Sequence, residues 1–160
     1  MKTHKNPKIR AGKPDQMALV LWASSCAGHV LRYFEAVRPE DRRPGKAIEA
    51  ARAWARDGIG TGLARSAALA SHAAARSVAD PAARAAARAA GHAAATAHMS
   101  AHARHAAAYA ASAVAFASSP AAAAKERKWQ FMRLPGRLKR GPLKKSSFFS
   151  FPRQGGQPRA

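Results

Sequence analysis

Five of the seven histidines fall between positions 72 and 105, and three of them, His98, His102 and His105, are spaced i, i+4, i+7. On one continuous helix such residues share a face. Three imidazoles on a face are a ligand set for zinc or copper. The surrounding residues argue against that use. A zinc-protease motif needs glutamate directly after its first histidine, and Met99 stands there. No acid lies between Asp80 and Glu126, so no nearby carboxylate is available to orient a ligating ring. Ser100 is also a point where the helix can break. Histidines packed between alanine-rich helices, bonded to carbonyls or to each other, are therefore favoured over a metal centre. A pH-sensitive interface is a third option, since imidazole titrates at about 6.5. No cofactor is expected.

Cys26 and His29 lie three apart and would face the same way on a helix, as a thiolate nucleophile and its base must. A lone cysteine in an apolar helix is more often a small core residue. The acids Asp15, Glu35, Glu40, Asp41, Glu49, Asp57, Asp80 and Glu126 form no pair suited to acid–base work across a bond. Gly58-x-Gly60-x-Gly62 lacks the preceding strand and the following Lys-Ser/Thr of a phosphate loop, and reads as a turn between helices. No catalytic residue is assigned, and the chain reads as a non-enzyme. Arg52, Arg56, Arg65, Arg76, Arg84 and Arg88 stud the middle of the chain, either as solvated faces or as partners of the few acids. The candidates for contact with a partner are Arg52, His72, His92, His98 and His102.

The elements that must position these residues are helices. Alanine accounts for 44 of 160 residues, whereas Leu, Ile, Val and Phe together number 22. That excludes a large aliphatic core and a buried parallel sheet. No hairpin signal or alternating run appears, so the fold class is all-α: a compact, alanine-rich bundle of five to six short helices. Asp15 is placed to cap a first helix over about 16–37, which Arg38-Pro39 ends. Pro44 suits the first turn of a second, running to about Asp57. Thr61 caps a third, to about Ala79. Asp80-Pro81 starts a fourth, to about His98, and Ser100 a fifth, to about Ala117. Ser118-Ser119-Pro120 opens the sixth, to about Leu134. His-Ala-Ala-Ala recurs at 72–75, 92–95 and 105–108, but at unequal spacing, so it marks no solenoid. The few large side chains are expected to plug the core: Trp22, Tyr33, Phe34, Trp54, Leu69, Tyr109, Phe116, Trp129 and Phe131.

Charge is uneven. Residues 125–160 carry +10 of the net +20, against +4 in residues 1–16 and +6 in residues 17–124. Residues 1–14 and 141–160 read as disordered basic tails flanking a helical domain at 15–140. Basic tails attract nucleic acid or anionic surfaces, and Arg137, Lys139, Arg140, Lys144 and Lys145 are the candidates for weak nucleic-acid contact. No stretch is long enough to span a membrane. The apolar run Met17–Ala23 is only seven residues, with Asp15 and Gln16 directly before it, which argues against a signal peptide and for a cytoplasmic protein. A homodimer through alanine-lined faces is an open expectation.

Three stretches carry a family resemblance. The first holds Leu21-Trp22-Ala23, Cys26-Ala27-Gly28-His29-Val30-Leu31 and Phe34-Glu35. The second runs through Arg38-Pro39 and Arg43-Pro44 to Ala47-Ile48-Glu49-Ala50-Ala51-Arg52-Ala53-Trp54. The third holds Ala89-Ala90-Gly91-His92, Thr96-Ala97-His98, His102 and Ala108-Tyr109-Ala110. Over about residues 17–140, including Trp129-Gln130 and Leu134-Pro135, the chain resembles the small all-helical "putative immunity protein" family of bacterial toxin systems. The resemblance implies a cytoplasmic protein that binds a toxin, blocks it and catalyses nothing. Residues after about 141 depart from the family pattern. A charge of +20 opposes a basic nuclease toxin, so the resemblance implies a toxin that is not basic, or one met by an uncharged patch. The two alternatives are a basic helical protein that binds nucleic acid or other anions, and a histidine-cluster metal protein.

Overall fold

Proline and its neighbours set several helix starts. In the computed structural model, which describes residues 13–140, Asp80 accepts from the Ala83 N–H at 2.7 Å and Ser119 accepts from the Ala122 N–H at 3.1 Å. Each cap precedes a proline whose missing N–H would have been unbonded in a first turn anyway. Six α-helices result: α1 (Lys13–Glu35), α2 (Arg43–Ala55), α3 (Thr61–Arg76), α4 (Pro81–Ala95), α5 (His102–Ala117) and α6 (Pro120–Arg133), followed by a 3₁₀ turn over Gly136–Arg140. No strand occurs among the described residues, and the fold is all-α. No helix among them is long and apolar enough to cross a membrane.

Several expected boundaries move. Asp15 lies in the first turn of α1 instead of capping it, since the helix begins at Lys13. Gly60, not Thr61, is the N-cap of α3, and Ala101, not Ser100, precedes α5; neither makes a side-chain cap. At the end of α2 the left-handed residue is Asp57, with φ 57°, while no described glycine has positive φ. Gly58 N–H donates to Ala53 O and Asp57 N–H to Trp54 O, a pair of bonds that closes the last turn around Asp57. The tails lie outside the described residues, apart from Lys13 and Pro14, which belong to α1.

α4 is the hub. It packs against α1, α2, α3 and α5, while α6 packs on α5. A helix enclosed by four others must be thin, and α4 is two-thirds alanine, with 11 of its 15 residues buried. Burying a methyl gains far less than burying a leucine, but alanine loses no rotamer entropy and lets axes approach closely. Two buried bonds tie the layers. Ser71 Oγ on α3 donates to Ala87 O on α4 at 2.7 Å, and Gln130 Nε2 on α6 donates to Ala107 O on α5 at 2.9 Å.

Trp22, Phe34 and Trp54 are core residues, as expected, and Tyr33, Tyr109 and Phe131 pack partly buried against them. Leu69 and Phe116 are not plugs, being 61% and 63% exposed. The inward stripe of α3 is Ala64, Ala68, Ser71, Ala74 and Ala75, and Leu69 stands one residue, about 100° of helix turn, off it. Phe116 follows buried Val114 by two residues, which turns it to the opposite side of α5.

Candidate functional site

Two constellations gather the polar side chains, and they lie on different elements. The first is a cleft of about 560 Å³ where α1, α2 and α6 meet, lined among others by Ser25, Gly28, His29, Arg52, Trp129 and Arg133. α6 reaches α1 through side chains. Trp22 Nε1 donates to Gln130 O at 2.8 Å, and His29 Nδ1 sits 2.9 Å from each carboxylate oxygen of Glu126. Glu126 is 6% exposed and His29 40%. An ionised carboxylate only accepts, so with Glu126 charged the proton of the imidazole is on Nδ1 and Nε2 is left for the cleft. The His29 ring stacks on Trp129 at 4.1 Å between centroids, and the Arg133 guanidinium lies 4.5 Å from the Trp129 ring centre. His29, Trp129 and Arg133 thus line the cleft in mutual contact, with the buried Glu126 carboxylate bonded to His29.

Arg52 lines the cleft from α2. Its Nη2 lies 3.3 Å from where a Cβ on Gly28 would be, so the absent side chain lets the guanidinium rest against α1. Glu35 and Glu49 also line the cleft, and Glu49 is 3.9 Å from Arg42. Past Ser25 and Arg133 the surface continues as a shallower groove lined by Ala18, Leu21, Trp22 and Pro135.

The second constellation is the histidine layer between α3, α4 and α5. His92 on α4 is its centre. Its ring is 4.9 Å from His72, 5.1 Å from His102, 5.2 Å from His105 and stacked at 5.3 Å on Tyr109. His92 Nδ1 and His102 Nδ1 are 3.0 Å apart, one donating and the other accepting. Burial pushes His92 down to about 3, with His72, His102, His105 and Arg88 adding to the effect. Burial also lowers His72, aided by Arg88 and Arg76, and lowers His102, aided by His98 and His105. His72 Nδ1 is buried with no hydrogen-bond partner among the described residues.

These positions sort the sequence candidates. His98 is not on one helix with His102 and His105: α4 ends at Ala95 and α5 starts at His102, so the face that one continuous helix would give does not form. His98 reaches the layer from the turn, 5.3 Å from His102 between ring centres. Among the described residues no group of three or more His, Cys, Asp or Glu is placed to hold a metal ion. Histidines bonded to each other between alanine-rich helices are what the fold contains. Cys26 is fully buried, and burial together with the Glu126 charge pushes its thiol far up, so it cannot supply a thiolate to His29. Of the partner candidates, Arg52 lines the cleft while His72, His92, His98 and His102 belong to the other constellation. Of the nucleic-acid candidates, Arg137 is bound to Asp15 at 2.6 Å and Lys139 lies over the Phe131 ring at 5.2 Å. Arg140 is exposed, and Lys144 and Lys145 lie outside the described residues.

Sequence reasoning missed Glu126, Trp129 and Arg133 as a set. Their signal was present: three and four residues apart, they share a face of α6, and Glu126 is the one acid after Asp80. What no local pattern could supply was His29, 97 residues earlier in the chain.

The family model described as "Imm-5 like putative immunity protein" matches residues 11–137. No curated protein and no solved structure matches the chain. Because the match runs from the start of α1 into the closing turn, the chain belongs to the Imm-5 like putative immunity protein family.

Proposed function

We propose that the protein is an immunity protein that binds a cognate bacterial toxin and neutralises it without catalysing a reaction. Membership of the family over residues 11–137 carries this reading. The side-chain chemistry supports binding over catalysis. The lone cysteine is buried with its thiol proton held on, and the Glu126 carboxylate is committed to His29. The contact face in this reading is the cleft between α1, α2 and α6, with Arg52 among the residues that touch the toxin. His98 and His102, at the outer edge of the histidine layer, are a secondary contact, and His72 and His92 serve packing. Toxin and antidote meet in the cytoplasm.

The test is capture of partners by the tagged full-length chain from the host lysate, with and without nuclease, identified by mass spectrometry. The reading expects one stoichiometric protein that survives nuclease and is toxic when expressed alone. Ribosomal and nucleoid proteins that vanish with nuclease would overturn it in favour of nucleic-acid binding through the basic tails.

A further inference from the structure

Several of the described arginines are engaged. Arg43 pairs with Asp41, Arg137 with Asp15 and Arg42 with Glu49, while Arg38 and Arg84 donate to carbonyls. Of the described arginines outside that set, Arg52 and Arg133 are the ones that line the cleft. Both are exposed. Each is held by shape, Arg52 against Gly28 and Arg133 over Trp129. Neither guanidinium has a hydrogen-bond or ion-pair partner among the described residues. Two like charges held in one cleft repel. A carboxylate bound between them relieves that repulsion, and a guanidinium offers it a bidentate pair of donors.

We propose that Arg52 and Arg133 form a receptor for carboxylate side chains of the partner protein, with the adjoining Leu21–Trp22–Pro135 groove taking an apolar side chain beside them. This rests on the immunity reading only for the partner being a protein. Two observations favour a protein carboxylate over the phosphates of a nucleic acid. The Trp129 ring is already occupied by His29 and Arg133, leaving no platform for a base. The groove next to the arginines is apolar, lined by Ala18, Leu21, Trp22 and Pro135.

The experiment is a titration of the ¹⁵N-labelled full-length chain, followed at the arginine Nε–Hε resonances. The probes are a blocked Glu-Glu-Leu-Leu-Glu peptide, its Gln-Gln-Leu-Leu-Gln counterpart, inorganic phosphate and a short oligothymidylate. The proposal expects saturable shifts of the Arg52 and Arg133 resonances with the acidic peptide and none with the glutamine peptide. Arg52→Gln and Arg133→Gln should each weaken binding by about tenfold or more, the loss of one charge-assisted bidentate contact. Both positions are exposed, and thermal melts of the variants confirm that they fold. Absence of shifts at these two arginines overturns the proposal. So do equal shifts at Arg56, Arg65 and Arg104, or a response to phosphate or oligonucleotide that matches the peptide. If the peptide fails while a toxin is still neutralised, the receptor is wrong and the immunity reading stands. If the peptide binds while no toxin is found, the reverse holds.

Discussion

Gly91 sits within α4, where helix propensity alone favours alanine by about 1 kcal/mol. A Cβ there would lie 2.7 Å from His72 Cε1 and within 2.9 Å of both ring nitrogens. An imidazole is rigid, and this one is wedged edge-on to His92. The clash therefore outweighs the propensity. Gly91→Ala should destabilise by about 1–3 kcal/mol, the usual cost of overpacking, seen as a lower denaturation midpoint. In a His72→Ala background the same change should be neutral or stabilising. Strict additivity of the two substitutions would contradict the contact. Trp54 is the opposite case. It is 8% exposed, and its Nε1 donates to Thr61 Oγ1 at 3.1 Å. In a core built of methyl groups few neighbours can fill its space, so Trp54→Ala should cost about 3–5 kcal/mol. An unchanged midpoint would remove Trp54 from the core.

At the scale of elements, the contact between α3, α4 and α5 is a pH-dependent one. His72, His92 and His102 all titrate below the ordinary value of about 6.5. Above that pH both folded and unfolded chains hold these rings neutral, and the full stability is present. As pH falls below it, the unfolded chain takes up protons that the folded chain refuses. Stability is lost progressively toward the folded value of His92, about 3. Arg76 and Arg88 face the layer and none of the groups acting on it is an acid, so no carboxylate offsets the incoming charge. Thermal melts from pH 7 to pH 4 should show a falling midpoint, and His92→Gln should flatten that slope. A midpoint that rises on acidification would contradict the arrangement. The same elements show what a sequence reveals. Asp80-Pro81 and Ser119-Pro120 announced their helices because a cap and a proline act within one turn. The rotation of α3 and α5 that exposes Leu69 and Phe116 was not legible, since in helices this rich in alanine the inward stripe carries no contrast. The break that separates His98 from His102 and His105 was legible at Ser100, which lies in the turn between α4 and α5. The cleft was legible only as Arg52, because its other half comes from α6 folding back on α1.

The whole molecule is a hub helix wrapped by four neighbours, with α6 closing over α1 to leave a polar cleft at its edge. Its net charge is +20, half of it carried by residues 125–160. Long-range attraction therefore selects an acidic partner and disfavours a basic one. The proposal that the protein works by occupying another protein rests on its family membership over residues 11–137. The measurement that tests this most directly is growth of cells that express the captured partner, with and without the full-length chain. Arrest by the partner alone and restored growth when the chain is co-expressed at equal or higher level are the expected result. Arrest that persists despite a soluble, folded chain, or a partner with no toxicity of its own, would contradict it.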